Sequence, residues 1–216
     1  MDDGTPPLPD APDARLAQLT AVTIGHYERE AASYRDATWD HDVSQNRAAL
    51  LSAMQGEPPF NILDFGCGPG RDLAFFHALG HRVTGLDGSR AFVEMARANS
   101  GCEVLHQDFI ALDLPTACFD GIFANASLFH VPRVVLPEVL ARLHACLRPQ
   151  GVLFCSNPRG DNQEGLNGDR YGAFYNLTSW REFVTAAGFV EVDHYYRPPG
   201  LPRHQQPWLA TVWRRP

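Results

Sequence analysis

The feature that most constrains the fold is a short apolar run that leads directly into a glycine-rich turn. Phe60–Phe65 is predicted to be a buried strand, and Gly66, Gly68 and Gly70 follow it in the sequence GCGPG. Glycine lets the backbone turn sharply and approach a ligand where a Cβ would clash. A helix predicted over Asp72–Leu79 would present its free N–H groups to the same turn. The segment therefore predicts a strand, a turn and a helix that together bind a ligand.

The rest of the chain alternates between strand and helix patterns. Strands are predicted at Phe60–Phe65, Arg82–Leu86, Glu103–His106, Phe119–Ala124, Val152–Ser156, Phe189–Tyr196 and Trp208–Trp213. Helices are predicted at Ala14–Asp36, at Ser44–Gln55 (N-cap Asp42 or Ser44), at Asp72–Leu79, from Ser89 to Asn99, from Pro137 to before Pro149, and at Thr178–Ala187 with a capping box of Ser179 and Glu182. Such alternation predicts an α/β fold with a mostly parallel sheet and helices on both faces.

Length and composition predict a single globular domain. The chain has 216 residues, 44% of them hydrophobic, and a net charge of −7, which leaves no basic surplus for binding a nucleic-acid backbone. Residues 1–13, rich in Pro and Asp, are predicted to be disordered. The domain is then expected over 14–216, with N-terminal helices at 14–56 and a cofactor-binding and catalytic core at 60–216.

The predicted compartment and the predicted lack of a metal rest on patterns that the sequence does not contain. The start of the chain has no signal-peptide pattern, and no apolar run is long enough to span a membrane. The five cysteines are odd in number and form no CxxC pair, so we expect a reduced cytoplasmic protein without a disulfide framework. His77 and His81 have i, i+4 spacing, but Gly80 interrupts the helix between them, and no metal site is expected.

One segment departs from the alternation. Asn157–Asn176 holds about twenty residues rich in Gly, Asn, Asp and Arg, and it is predicted to be a long loop after the fifth strand. Loops of that length in compact domains are usually functional or disordered. Its place at the carboxyl end of a strand favours ligand binding.

Three aspartates lie near the ends of the first three predicted strands, and they limit which cofactor the site could bind. Asp64 precedes the glycine turn, Asp87 ends the second strand, and Asp108 follows the third beside Phe109. A nicotinamide dinucleotide prefers G-x-G-x-x-G, whereas this chain has G-x-G-x-G with Arg71 in place of the last glycine. Asp64 would repel a pyrophosphate but suits an ammonium group. S-adenosylmethionine carries an ammonium, a ribose for Asp87 and an adenine for Asp108, and it has no phosphate.

These residues resemble the class I S-adenosylmethionine-dependent methyltransferases from about Asn61 to the C-terminus. The resemblance implies a Rossmann-like seven-stranded sheet whose last strand, Trp208–Trp213, is antiparallel, with an N-terminal helical lid. It implies S-adenosyl-L-methionine as cofactor and S-adenosyl-L-homocysteine as product. The cofactor-binding residues it implies are Asp64, Gly66, Gly68, Gly70, Asp87, Asp108, Phe109, Asn125 and Tyr34. Tyr27, Tyr34, Trp39 and His41–Asn46 are candidates for the lid, with core packing as the alternative for the two tyrosines.

Candidates for the acceptor site follow later strand ends. The catalytic candidates are Asn125, His130 and Tyr175, with a backbone-bonded loop histidine as the alternative for His130. The substrate-binding candidates are Phe129, Asn157, Arg159, Asn162, Tyr171, Tyr175 and Arg203. Arginine suits a carboxylate and tyrosine a flat ring, so this set predicts a small zwitterionic acceptor; solvated loop surface is the alternative for each residue alone.

A narrower resemblance rests on four segments: His41–Asn46, Phe123–Pro132, Ser156–Gly165 and His194–Trp208. They resemble the C-terminal methyltransferase domain of the bifunctional ovothiol synthases, here expected to be free-standing. The resemblance implies N-methylation of the imidazole of 5-thiohistidine to give ovothiol. The alternatives are methylation of another small amine, thiol, carboxylate or heteroaromatic compound, and a non-catalytic cofactor-binding regulator. No nucleic-acid or membrane partner is expected, and the sequence predicts no oligomeric state.

Overall fold

The computed structural model describes residues 12–216, which form a seven-stranded sheet, a two-stranded hairpin and the flanking helices. The strands are β1 Asn61–Phe65, β2 Arg82–Asp87, β3 Glu103–His106, β4 Phe119–Asn125, β5 Leu147–Pro158, β6 Gln163–Asn167, β7 Arg170–Phe174, β8 Val190–Arg197 and β9 Trp208–Arg214. The helices are α1 Pro12–Thr38, α2 Ser44–Ala53, α3 Arg71–Ala78, α4 Arg90–Ser100, α5 Leu136–Cys146 and α6 Leu177–Ala186. None of the helices described between residues 12 and 216 has the length and apolar character needed to cross a bilayer.

The main sheet has the order β3-β2-β1-β4-β5-β9-β8. The five strands β1 to β5 pair in parallel, whereas β9 lies between β5 and β8 and is antiparallel to both. The predicted α/β class and the antiparallel last strand are thus confirmed, giving the Rossmann-like methyltransferase arrangement. The strand order reverses at β1, between β2 and β4, and open sheets of this kind bind ligands at the carboxyl ends of the strands beside such a reversal.

The core is divided by the sheet, and the side chains of each strand alternate between its two faces. Leu63 belongs to the cluster that includes Leu140 of α5 and Trp180 of α6. Its neighbour Ile62 belongs to the opposite cluster, which includes Phe76 of α3. Burial on both faces holds the strand ends in fixed positions, and these ends carry the residues of the site.

The largest difference from the sequence prediction lies at Asn157–Asn176. The structure has a hairpin there instead of a loop, because β6 and β7 pair antiparallel around a turn in which Gly168 has φ +62°. The pattern concealed β6 because most of its side chains are exposed and polar. The segment is therefore ordered, and its side chains point to fixed places.

Helix ends also differ from the predictions. The first turn of α6 is capped by the side chain of Asn176, which accepts from the backbone N–H of Ser179, so the predicted capping box is wrong. The N-cap position of α2 is Val43, while Asp42 accepts from the backbone N–H of Ser44. The predicted disordered segment 1–13 lies outside the described residues except for its last two, where α1 begins.

Candidate functional site

The glycine turn after β1 requires glycine for two separate reasons. Gly66, Gly68 and Gly70 have φ of +75°, +51° and +86°, which L side chains rarely adopt. A Cβ on Gly66 would also lie 2.4 Å from the Cβ of Ser127, and one on Gly70 would lie 2.7 Å from the Cα of Ala96. The turn is therefore held tightly between α4 and the residues that follow β4.

Asp87, at the end of β2, supports this turn with both of its carboxylate oxygens. Oδ2 accepts from the N–H of Gly68 at 2.9 Å, and Oδ1 accepts from the N–H of Ser89 at 2.9 Å. Burial raises the pKa of Asp87 to about 6, although the backbone N–H donors oppose the shift. Each oxygen keeps further acceptor capacity, so the ionised side chain can also accept from the hydroxyls of a ribose.

Asp64 lies below the turn in β1 and is 3% exposed. Its Oδ2 has no hydrogen-bond partner among the described residues. Burial, and then the charge of Asp72, raise the pKa of Asp64 well above its ordinary value. Asp72 itself is paired with Arg47 and Arg71. A buried carboxyl oxygen without a partner needs one. It can accept a hydrogen bond from a bound ligand, or the carboxyl group can carry a proton.

A first cavity lies between α1, the glycine turn and the end of β2. Its wall includes Asp108, whose Oδ1 accepts from the N–H of Ile110, and Phe109, whose ring is stacked on Phe65 at 4.3 Å. The buried hydroxyl of Ser127 reaches this cavity and has no hydrogen-bond partner among the described residues. The lining residues are Thr20, Thr23, Ile24, Tyr27, Tyr34, Gly66, Gly68, Asp87, Gly88, Ser89, Phe92, Asp108, Phe109, Ile110, Ala126, Ser127 and His130.

A second cavity adjoins the first. Tyr27, Tyr34, Gly66, Gly68 and Ala126 line both. The remaining lining residues of the second are Thr38, His41, Asp42, Val43, Asn46, Cys67, Pro69, Arg71, Asp72, Asn125, Phe129, Ser156, Arg170, Arg197, Pro198 and Trp208. Aromatic residues and arginines are therefore prominent in the wall of the second cavity. The carboxylates of Asp87 and Asp108 line the first cavity instead.

His130 stands in a chain of hydrogen bonds that fixes its tautomer. Its Nδ1 donates to the carbonyl of Tyr171 at 2.6 Å, so Nε2 carries no proton and accepts from the hydroxyl of Tyr27 at 2.8 Å. Burial lowers the pKa of His130 to about 4. The ring is neutral near pH 7 and both nitrogens are engaged. This matches the backbone-bonded alternative for His130 and leaves it no free nitrogen to take a proton from an acceptor.

Asn125, at the end of β4, is held by a second network. Asn46, which is 1% exposed, donates to the side-chain oxygen of Asn125 at 2.8 Å and accepts from the hydroxyl of Tyr195 at 2.9 Å. The amide nitrogen of Asn125 has no acceptor among the described residues and lies at the second cavity with Phe129. The structure thus brings Asn125 and Phe129 to the place that the sequence predicted.

Several predicted acceptor residues are directed elsewhere. Tyr175, a predicted catalytic residue, is 3% exposed, and its ring packs in the core against Trp180 and Phe183. Tyr171 is also buried, and its hydroxyl donates to Glu164. Neither tyrosine lines the two cavities. Tyr171 lies in β7, whose three central residues are buried, and Tyr175 directly follows that strand.

The four polar candidates for substrate binding also lie away from the two cavities. Asn157 is buried within β5. Asn162 has φ +68° and its carbonyl accepts from Arg133. Arg159 donates to the carbonyls of Gln206 and Arg203. The guanidinium of Arg203 lies 3.0 Å from the centroid of the Tyr196 ring. None of these four candidates lines either cavity.

The structure also places at the second cavity three residues that were not among the predicted catalytic, cofactor-binding or substrate-binding residues. Arg170 follows the hairpin turn, Arg197 ends β8, and Asn46 lies in α2. A charged residue at the carboxyl end of a strand is a usable signal for Arg197. Asn46 lies in the predicted lid segment His41–Asn46, but its hydrogen bond to Asn125 depends on how α2 packs against β4. No group of three or more histidine, cysteine or acidic side chains within residues 12–216 is arranged to hold a metal ion.

Comparison with known proteins agrees with this geometry. Residues 62–151 match the family model described as a methyltransferase domain. Trans-aconitate 2-methyltransferase of Escherichia coli O157:H7 is 36% identical over 118 residues, which cover 53% of this chain and 46% of that protein. The chain thus spans less than half the length of this relative. The fold is also similar to that of a TehB-like S-adenosylmethionine-dependent methyltransferase of Corynebacterium glutamicum, with a TM-score of 0.69, 20% identity and coverage of 89% of this chain and 99% of that one.

A solved structure with higher identity includes the demethylated cofactor. It is the 1,6-didemethyltoxoflavin-N1-methyltransferase of Burkholderia thailandensis with bound 1,6-didemethyltoxoflavin and S-adenosylhomocysteine. The TM-score is 0.75 at 28% identity, over 96% of this chain and 93% of that one. By its sheet order and its glycine turn, this chain has the fold of the class I S-adenosylmethionine-dependent methyltransferases, and residues 62–151 match a methyltransferase domain. The cofactor prediction, S-adenosylmethionine, is confirmed with it.

Proposed function

We propose that this protein transfers a methyl group from S-adenosylmethionine to a ring nitrogen of a small zwitterionic acceptor. The observation that carries the proposal is that the two cavities share one wall, formed by Tyr27, Tyr34, Gly66, Gly68 and Ala126. A cofactor whose adenosine occupies the first cavity would bring its sulfonium to that wall. An acceptor in the second cavity would meet it there.

The residues of the first cavity fit the cofactor. Asp87 would accept from the ribose hydroxyls, Asp108 from the adenine amine, and the free hydroxyl of Ser127 has no other partner. The glycine turn would let the backbone come close to the bound molecule. S-adenosylmethionine supplies a methyl group on a positively charged sulfur.

The main contribution of the protein would be to position the acceptor relative to the methyl group. Displacement at a methyl group needs the nucleophile in line and free of water. The rings of Tyr27 and Tyr34 meet edge to face at 5.4 Å, and they cover the junction of the cavities. Asn125 would orient the acceptor from the opposite side through its free amide nitrogen.

The acceptor that we propose to test first is 5-thiohistidine, which would give ovothiol. The resemblance of four segments to the ovothiol synthase domain supports it, as does the similarity to a protein named for N1-methylation. A neutral imidazole nitrogen already has a lone pair, so it needs no strong base, and His130 offers none. The proposed compartment is the cytoplasm, where the unpaired cysteines would stay reduced.

A second candidate is O-methylation of a carboxylate. The match to trans-aconitate 2-methyltransferase favours it, as do the arginines of the second cavity. Other small amines, thiols and heteroaromatic compounds form the remaining enzymatic alternatives, and a regulator that binds the cofactor without turnover is the non-enzymatic one.

The test is incubation with labelled S-adenosylmethionine and a panel of acceptors: 5-thiohistidine, histidine, histamine, trans-aconitate and simple thiols. We expect label on a ring nitrogen of 5-thiohistidine, located by mass spectrometry. Asp87→Ala should abolish transfer and weaken S-adenosylhomocysteine binding, while Asp36→Ala, an exposed matched change on α1, should do neither.

Any other result of this assay would favour one of the alternative functions. Label on trans-aconitate alone would establish the carboxylate reaction, and label on another member would refute 5-thiohistidine as acceptor. Tight cofactor binding with no labelled product from any member would favour the regulator.

A further inference from the structure

The charged side chains of the second cavity are not balanced. Three arginines line it: Arg71, Arg170 and Arg197. Arg71 is already engaged, because it pairs with Asp72 and donates to the carbonyl of Thr38. The other two form no ion pair with any carboxylate among the described residues. The cavity therefore holds two guanidinium groups without an anionic partner.

Arg197 shows the lack of a partner most directly. One of its terminal nitrogens donates to the backbone carbonyl of Asp42 at 2.6 Å. Its Nε is buried and has no hydrogen-bond partner among the described residues. A buried donor without an acceptor destabilises the protein, and a bound anion would supply the missing acceptor. Guanidinium groups bind carboxylates through two parallel hydrogen bonds.

Arg170 approaches the same cavity from the hairpin. It lies beside the hydroxyl of Tyr27, where its positive charge opposes the burial that raises the pKa of that tyrosine to about 12. The carboxylates that line the cavity are Asp72, which is paired with Arg47 and Arg71, and Asp42. Asp42 is exposed; hydrogen bonds from Ser44, and then the charge of Arg197, lower its pKa, but its carboxylate forms no ion pair with Arg197 or Arg170 among the described residues.

The place of Arg197 in the sheet separates its backbone from the glycine turn. It ends β8, which is four strands away from β1 in the order β1-β4-β5-β9-β8. At about 4.8 Å between neighbouring strands, that is roughly 19 Å from the strand that leads into the glycine turn. Gly66 and Gly68 of that turn line the same cavity, so Arg197 and the turn contribute to its wall from strands that lie far apart in the sheet.

We propose that Arg197, together with Arg170, forms an anion-binding subsite that holds a carboxylate of the methyl acceptor. The proposal rests on the proposed function for the existence of an acceptor, and it adds the chemical group that the acceptor must carry. With Asp42 exposed at the same cavity, the arrangement suits a zwitterion whose ammonium faces that aspartate. The subsite selects amino acids and other carboxylates over their decarboxylated amines.

The experiment compares Arg197→Gln and Arg170→Gln with the wild-type enzyme and with Arg142→Gln. Arg142 lies on α5 with a side chain that is 64% exposed, so its substitution removes one positive charge at a distance from the cavity. The acceptors are 5-thiohistidine, its decarboxylated analogue and trans-aconitate. Calorimetry in saturating S-adenosylhomocysteine measures acceptor binding without turnover, and titration of S-adenosylhomocysteine alone measures the cofactor site.

Loss of a charge-assisted hydrogen bond should weaken binding of the carboxylate acceptors about tenfold to a hundredfold in each cavity variant. Binding of the decarboxylated analogue should change less than twofold, and Arg142→Gln should resemble the wild type. Arg197→Lys should restore part of the affinity, since it keeps the charge but loses the planar fork.

Two results would overturn the subsite. One is equal weakening for the carboxylate acceptor and its decarboxylated analogue. The other is loss of S-adenosylhomocysteine affinity as large as the loss of acceptor affinity, which would assign the guanidinium to the methionine carboxylate of the cofactor. Failure of the proposed function is distinguishable from both: the wild type would then bind carboxylate acceptors but methylate none of them.

Discussion

Asp87 should make the stability of the ligand-free protein depend on pH in an unusual direction. Its pKa is about 6 in the folded protein against an ordinary value of 3.8, because burial penalises the charged form. The folded state therefore binds more protons than the unfolded state between these two values. The stabilisation is complete below pH 3.8 and is lost as the pH rises through 6. The separation of the two pKa values corresponds to about 3 kcal/mol in total.

Asp87→Asn removes this titration and isolates its contribution. From pH 5.0 to 7.5, the free energy of unfolding of the wild type should fall by about 1.4 kcal/mol relative to that of the variant. Asp64, whose pKa is raised first by burial, then by the charge of Asp72 and to a smaller extent by that of Asp87, adds to the effect in the same direction. Urea unfolding of both proteins at the two pH values, without cofactor, provides the measurement.

The same titration should control cofactor binding in the opposite sense. If ribose hydroxyls bind the ionised carboxylate, affinity of the wild type for S-adenosylhomocysteine should be about tenfold weaker at pH 5.0 than at 7.5. A stability difference between wild type and variant that is the same at both pH values would refute the reasoning about burial. A cofactor affinity independent of pH would refute the ribose role.

Three further changes have defined outcomes. Gly66→Ala should abolish S-adenosylhomocysteine binding in a titration, because its Cβ would lie 2.4 Å from that of Ser127 at φ +75°; binding at wild-type affinity would contradict the tight turn. Tyr27→Phe should lower the free energy of unfolding in urea by about 1 kcal/mol, since it leaves Nε2 of His130 without a donor; an unchanged midpoint would contradict that bond. Cys146, whose pKa burial raises to about 12, should react with a thiol reagent at pH 7.5 only after denaturation, as peptide mapping would show; rapid native labelling would contradict its burial.

The sequence was most informative where one residue type is required by local geometry. The glycine turn and the aspartate at the end of β2 could be predicted because backbone conformation and strand period determine them. The hairpin could not, since β6 is exposed and its polar residues give no alternation. Tyr175 has a polar group that suggested chemistry, yet its position on the sheet directs it into the core. The contacts of Asn46 with Asn125 and of Arg197 with Asp42 join segments that are far apart in the chain, and a single sequence does not show which of these segments meet.

The first helix has a consequence for engineering. Thr23 of α1 accepts from the backbone N–H of Tyr171, and His26 and Arg29 pair with Asp169, so α1 is joined to the hairpin at two points. Tyr27 of the same helix lines both cavities. Exchange of the hairpin for that of a relative, as a means of altering acceptor choice, would therefore also disturb the cofactor site. A chimaera that retains its activity must transplant α1 and the hairpin as one unit.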